Sequence, residues 1–230
     1  MMKKTILAAI VAVTATSVSA ASLDFRQEYK HDSEDYASRV KIGGSVDNHY
    51  FGVEAKQKGK PFSEWEAGDN EFEYGYRFKI TDQFMLIPAM PVTFGSDSVT
   101  YKPQLRAQYK FDSGITAKLR YRHELRNFNS DSGKDDIDRS KVTANLDYNW
   151  NNFQFGFEAN YEDNWTNILG DWYEGSSSDY GWDYNLKIGY KESDWAWRPY
   201  VEFGNVSSGG PDKGQDTRQL RSRIGVTYSF

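Results

Sequence analysis

The tightest constraint on this chain is a period of two. In the segment Gln219 to Phe230, Leu220, Ile224, Val226, Tyr228 and Phe230 share one parity, while Arg221, Arg223, Thr227 and Ser229 share the other. Successive side chains of a β-strand point to opposite faces, so the segment carries one apolar and one cationic face. A soluble sandwich would bury the apolar face against a second sheet. A membrane barrel would turn it to lipid and keep the charges in an aqueous interior.

The same alternation runs through twelve segments, near 22–31, 35–46, 49–58, 68–80, 83–95, 99–111, 115–126, 139–150, 153–162, 180–191, 195–206 and 217–230. Each is close to the ~9–11 residues that cross a bilayer as a tilted strand. One parity reads Phe72, Tyr74, Tyr76, Phe78, Ile80, then Leu105, Ala107, Tyr109, Phe111, then Phe153, Phe155, Phe157, Ala159, Tyr161. Within these boundaries it carries no Asp, Glu, Lys or Arg before Arg218. A soluble sheet seldom segregates its faces so completely. Aromatics gather towards segment ends, among them Tyr101, Phe111, Trp150, Trp182 and Trp195, as interfacial girdles require. Tight turns such as Asp47-Asn48, Thr81-Asp82 and Asn151-Asn152 alternate with polar stretches, the longest at 59–67, 127–138, 163–179 and 207–216. The pattern predicts an all-β fold: a transmembrane antiparallel β-barrel of 12 strands, with short periplasmic turns, longer extracellular loops and both termini on the periplasmic side.

Residues 1–20 stand apart. Lys3 and Lys4 precede an apolar run from Ile6 to Val13, and small residues end at Val18-Ser19-Ala20, the layout of a secretory signal peptide cut after Ala20. Residues 21–230 are then the barrel. Nothing later reaches the ~18 consecutive apolar residues of a spanning helix, since the richest stretch, Phe84 to Val92, is broken by Pro88 and Pro91. Without Cys there is neither a disulfide framework nor a thiolate metal site. The expected location is the outer membrane of a Gram-negative bacterium, with outer-membrane lipid and lipopolysaccharide as surroundings.

The formal net charge of −5 hides a strong asymmetry. On the inward parity Lys and Arg outnumber Asp and Glu by about ten, so loops and turns hold the compensating acid. The basic residues expected to line a pore and bind substrate are Arg39, Lys41, Arg77, Lys102, Arg106, Lys118, Arg120, Arg122, Arg198, Arg221 and Arg223. A small barrel must also fill its interior, and cross-strand Arg/Glu pairs would do so while blocking it. About eight strands are just filled by side chains and about 16–18 leave a channel, so twelve permit a narrow pore. The cation excess cannot all be paired internally, which favours an anion-conducting lumen over a plugged structural barrel. A guanidinium pairs a carboxylate through a planar fork at any working pH, and a row of them offers a linear polyanion many exchangeable sites.

The segments LDFRQEYKHDSEDYASRVKI, ITAKLRYRHEL, WRPYVEFGNV and RQLRSRIGVTYSF resemble the KdgM family of oligogalacturonate-specific outer-membrane porins, which also includes the sialic-acid channel NanC. The likeness covers essentially the whole chain after residue 20, is strongest over 195–230 and weakest at 127–138 and 163–179. It implies a monomeric twelve-stranded barrel with two facing tracks of Arg and Lys, passing acidic oligosaccharides. The positions matching those tracks are Arg39, Lys102, Arg106, Arg120, Arg122, Arg198, Arg221 and Arg223.

Two rival classes are an outer-membrane barrel enzyme of lipase or protease type and a plugged structural or adhesive barrel. The only histidines are His31, His49 and His123. His123 falls on the lipid parity between Arg122 and Glu124 with no Ser patterned beside it, so it reads as an interfacial side chain, and no catalytic residue is assigned. Glu71 and Glu73 share a lumen wall as a glycosidase pair might, but read better as counter-charges to Lys and Arg. Asp131–Asp138 has the acid density of a calcium loop without its terminal Glu. No cofactor, metal or nucleic-acid partner is expected. Trp165, Trp172 and Tyr173 in the longest loop are candidates for stacking on sugar faces at the entrance.

Overall fold

A computed structural model describes residues 20–61, 63–64, 66–164, 180–208 and 218–230. Twelve antiparallel strands follow one another: β1 (Ala20–Lys30), β2 (Tyr36–Val46), β3 (His49–Lys58), β4 in two pieces (Glu66–Tyr76 and Phe78–Lys79), β5 (Phe84–Phe94), β6 in two pieces (Ser98–Tyr101 and Gln104–Lys110), β7 (Thr116–Phe128), β8 (Ile137–Trp150), β9 (Phe153–Asn164), β10 (Tyr180–Tyr190), β11 (Trp197–Ser207) and β12 (Arg218–Ser229). Each pairs with the next, and β12 pairs back to β1 from Ser22↔Ser229 to Lys30↔Arg221. The sheet therefore closes on itself and leaves no edge, which a lipid solvent demands of any strand-built span.

Both interruptions have local causes. Pro103 has no N–H to give the ladder, and β6 is held across the gap by Lys102 N–H donating to Pro91 O at 2.9 Å and His123 N–H donating to Pro103 O at 3.0 Å. In β4, Arg77 leaves the regular ladder, and its N–H donates to Asn48 O at 2.9 Å. A bulge where Ala55/Asn70 gives way to Gln57/Ala67 adds one residue to β4, so Glu66 pairs with Lys58. Asp47 (φ 52°) and Asn151 (φ 50°) occupy the left-handed region at two tight turns, a conformation that Asn and Asp tolerate well.

Burial is inverted relative to a soluble protein. The outward row is open to the surroundings, with Ile224 63% and Leu119 56% exposed, while Thr143 (1%) and Asn160 (4%) lie among the buried polar residues of the inner face. Moving each large outward apolar side chain from water into hydrocarbon is favourable by about 1.5–3 kcal/mol. Such a surface is stable only in lipid.

Strand ends agree with the expected segments to within two residues. One consequence corrects the sequence reading. Because β8 begins at Ile137 and β9 runs to Asn164, Asp138 and Asp163 continue the outward parity at the loop end of the barrel. The apolar row thus ends in acidic residues before Arg218 is reached. Arg218 itself reaches across β11, its guanidinium donating to Asn205 O (2.7 Å), Asn205 Oδ1 (2.7 Å) and Trp182 O (2.5 Å). The expected signal segment, save Ala20 in β1, lies outside the described residues, as do Trp165, Trp172 and Tyr173. Within 127–138 a short 3-10 turn forms at Ser130–Ser132.

Candidate functional site

The site is the inner face of the barrel. Strand order sets its geometry: in a ring of twelve, β7 lies six places from β1 in either direction, so the two strands stand on opposite walls. The expected basic residues divide between those walls. Lys102, Arg106, Lys118, Arg120 and Arg122 come from β6 and β7; Arg198, Arg221, Arg223, Arg39 and Lys41 come from β11, β12 and β2. Arg77 belongs to neither group and stacks over the Tyr50 ring at 4.9 Å.

On the β6–β7 wall, Lys102 Nζ donates to Glu71 Oε2 at 2.8 Å by reaching across β5. The inner side chains of β5 permit this, since Ala89, Pro91 and Thr93 are short and Thr93 Oγ1 donates to the same carboxylate at 2.8 Å. Lys118 Nζ donates to Asp147 Oδ2 at 2.6 Å. Arg122 divides its donors between Gln104 Oε1 (2.9 Å) and Glu124 Oε1 (3.4 Å). Arg106 and Arg120 are register partners, like charges directly opposite. Arg120 has only Thr143 Oγ1, at 2.9 Å, and neither arginine has a carboxylate within ion-pair distance among the described residues. Both carry a buried Nε without a partner.

The facing wall mixes tied and untied cations. Arg223 sits between register partners Glu28 and Glu202 and pairs with both, the Nε–Glu28 Oε2 contact being 2.6 Å. Arg39 has cations for register partners, Arg26 and Lys56, and reaches diagonally to Asp24 and to Glu54 Oε2 (3.4 Å). Lys41 Nζ reaches across β3 to Glu73 Oε2 at 3.4 Å, its chain lying over Gly52. Arg198 Nη1 donates to Gln154 Oε1 at 2.9 Å, and Arg221 Nη2 to Asn185 Oδ1 at 2.6 Å. Tyr200 braces this wall: its hydroxyl donates to the Asp24 carboxylate (3.1 Å), Lys187 Nζ sits 3.6 Å from its ring centre, and the hydroxyl end of its ring lies against Gly225.

A cavity of about 390 Å³ opens between the strands, lined by the cations Arg26, Arg39, Lys56, Lys141, Lys187, Arg221 and Arg223 and the anions Asp147, Glu158, Asp183 and Glu202. Arg26, Lys56, Lys141 and Lys187 lie on the inward parity but are not among the eleven residues expected to bind substrate. Also unanticipated were the amides of Asn145, Asn160 and Asn185, which line the same cavity. A second hollow of about 540 Å³ at the loop end mixes Glu34, Asp35, Glu64 and Glu66 with Lys30, Lys58 and Lys60.

The carboxylates Glu71 and Glu73 are counter-charges, as expected: Glu71 to Lys102, and Glu73 to Lys41 with further bonds from Tyr50 Oη (3.3 Å) and Gln104 Nε2 (3.1 Å). His31 bonds Ser222 Oγ at 2.9 Å, and His49 Nδ1 bonds Tyr74 Oη at 2.7 Å. For His123 the register corrects the sequence reading, because Ser140 lies directly opposite on β8. Ser140 Oγ is engaged by Tyr121 Oη at 3.0 Å.

Residues 14–230 match the family described as oligogalacturonate-specific porin protein (KdgM). The oligogalacturonate-specific porin KdgM of Dickeya dadantii is 30% identical over 99% of both chains. Among solved structures, KdgM porin in complex with disordered oligogalacturonate aligns with a TM-score of 0.68 and 25% identity, covering 91% of this chain and 99% of that one. The NanC porin aligns with a TM-score of 0.72 and 18% identity over 90% of this chain and 98% of that one, a likeness of fold.

Proposed function

Starting from the fact that this chain belongs to the KdgM family of outer-membrane porins, we propose that its lumen admits acidic oligosaccharides, oligogalacturonate or related uronate oligomers, down their own gradient. One observation carries this reading. Like-charged arginines face each other in register on both walls, Arg106/Arg120 and Arg26/Arg39, and Arg26, Arg106 and Arg120 have no carboxylate partner among the described residues. Like charges directly opposite destabilise a sheet unless something lies between them to neutralise them. A string of carboxylates does so, and opposing walls let it be handed from one guanidinium to the next without a single trapping site.

In this reading ten of the eleven predicted residues divide between two roles. Arg106, Arg120, Arg198 and Arg221 meet the solute's carboxylates. Lys41, Lys102, Lys118, Arg39, Arg122 and Arg223 are tied to protein carboxylates and set the field around them, with Arg77 beside Tyr50 at the end that carries the tight turns. Transport needs no bond to be made or broken, so the barrel acts as a channel and not as an enzyme. Proteoliposomes loaded with trigalacturonate and maltotriose test the proposal. Faster release of trigalacturonate is expected; equal release of both, or release of maltotriose alone, would overturn it.

A further inference from the structure

The cavity has two chemically opposite sides, and only one is explained by carboxylate binding. On β9 and β10, Glu158 and Asp183 have no cation within ion-pair distance among the described residues. They are held by amides instead. Asn160 Nδ2 donates to Glu158 Oε1 (2.9 Å) and Asp183 Oδ1 (2.8 Å), and Asn185 Nδ2 donates to the same two oxygens (3.3 and 3.2 Å). Asn145 Nδ2 donates to Glu158 Oε2 at 2.9 Å. The register makes this cross-linking possible, pairing Glu158 with Asn185 and Asn160 with Asp183.

The amide oxygens face the two cationic walls. Asn185 Oδ1 accepts from Arg221, while Asn160 Oδ1 accepts from Thr143, which accepts in turn from Arg120. Both amide donors of Asn160 and both of Asn185 are therefore spent on carboxylates, and Asn145 spends one on Glu158. What remains towards the cavity is mainly acceptor capacity, including Asp183 Oδ2, which accepts no hydrogen bond among the described residues. Across the same cavity stand Arg26, Arg39 and Lys56, which are donors only, while the two cations beside the acids are engaged elsewhere, Lys141 with Glu162 and Lys187 over the Tyr200 ring. A purely anionic solute would find that acceptor side repulsive. A solute with carboxylates along one edge and hydroxyl donors along the other satisfies both sides.

We propose that Glu158 and Asp183 form a hydroxyl-reading subsite for sugar acids, a reading that rests on the channel function proposed above. The pair fixes how the solute is turned: hydroxyls donate to these carboxylates while the solute's own carboxylates face the arginines. The subsite separates sugar acids from hydroxyl-free polyanions of equal charge, a discrimination that arginine rows alone do not supply.

The test is current block in planar bilayers by two trianions, trigalacturonate and propane-1,2,3-tricarboxylate, on the wild-type barrel and on the Glu158→Gln/Asp183→Asn variant. Losing charge-assisted hydrogen bonds should raise the half-blocking concentration of trigalacturonate about tenfold, while that of the tricarboxylate falls because repulsion has been removed. The opposite signs carry the test. Half-blocking concentrations that fall together would show a wall that only repels, and unchanged values would show one that only braces the barrel; either overturns the proposal. Trigalacturonate with its hydroxyls O-methylated, applied to the wild-type barrel, gives the same answer without a variant that must fold: about a tenfold rise is expected, and no change refutes the subsite. Failure of the channel reading looks different, since the wild-type barrel would then be blocked by neither trianion.

Discussion

Two pairs of arginines, one on each cationic wall, are the same residue type held differently. On the β6–β7 wall, Arg106 and Arg120 lie opposite each other with no carboxylate in ion-pair distance among the described residues. On the facing wall, Arg223 bridges Glu28 and Glu202, and Arg39 bridges Asp24 and Glu54. A buried cation that satisfies two carboxylates is part of the scaffold; removing Arg223 leaves both its acids without a cation, whereas Glu54 keeps Lys56 when Arg39 is removed. A guanidinium with spare donors is available to a solute. Inward orientation alone therefore does not identify a binding residue; the partner count does.

That difference can be broken most severely at Arg223. Replacing it by Ala strands two carboxylates that are only 11–13% exposed, and the barrel should lose about 3–5 kcal/mol in urea unfolding from lipid vesicles. A loss under about 1 kcal/mol would show that Arg223 is as free as Arg120. Next comes the brace behind the same wall. A Cβ at Gly225 would sit 2.4 Å from the Tyr200 ring and 2.7 Å from Phe25 O, so Gly225→Ala should cost about 1–3 kcal/mol, as overpacking does. Tyr200→Phe separates ring from hydroxyl and should cost less.

The untied pair should respond in the opposite sense. Arg106→Gln with Arg120→Gln removes a like-charge pair, so stability should stay within about 1 kcal/mol of wild type while anion preference in salt-gradient recordings falls. The smallest effect is expected outside the lumen. The Lys134 ammonium, donating to Asp97 at 2.6 Å, holds that loop carboxyl below its usual range. Its contribution is then present above the unfolded carboxyl's pKa and is lost only as pH falls through the lower folded value. Both groups are solvated, so Asp97→Asn should leave barrel unfolding unchanged between neutral pH and pH 5 and serve as the control.

Much of this was legible in the sequence. A charge-free parity specifies strands and sidedness because a charged side chain facing lipid costs about 2–4 kcal/mol at the bilayer centre. The same rule lapses at the rim. Asp138 and Asp163 therefore end the apolar pattern while the backbone ladder of β8 and β9 continues. Which cations are tied was not fully legible, because several of the ties skip a strand. Lys102 meets Glu71 over the short side chains of β5, and Arg221 meets Asn185 over Gly204, where a Cβ would lie 2.4 Å from Asn185 Oδ1. Such reaches depend on register and on small residues of the intervening strand, neither of which the parity of one segment reveals. Ser140 escaped notice beside His123 for the same reason, and the neutral amides of Asn160 and Asn185 gave no charge signal to follow.

The most direct test of the central claim is the reversal potential of the wild-type barrel in a planar bilayer under a tenfold KCl gradient. Lumen arginines in excess of their partners predict an anion-selective potential that shifts towards zero in the Arg106→Gln/Arg120→Gln variant. A cation-selective potential, or no conductance from a correctly folded barrel, would contradict the account.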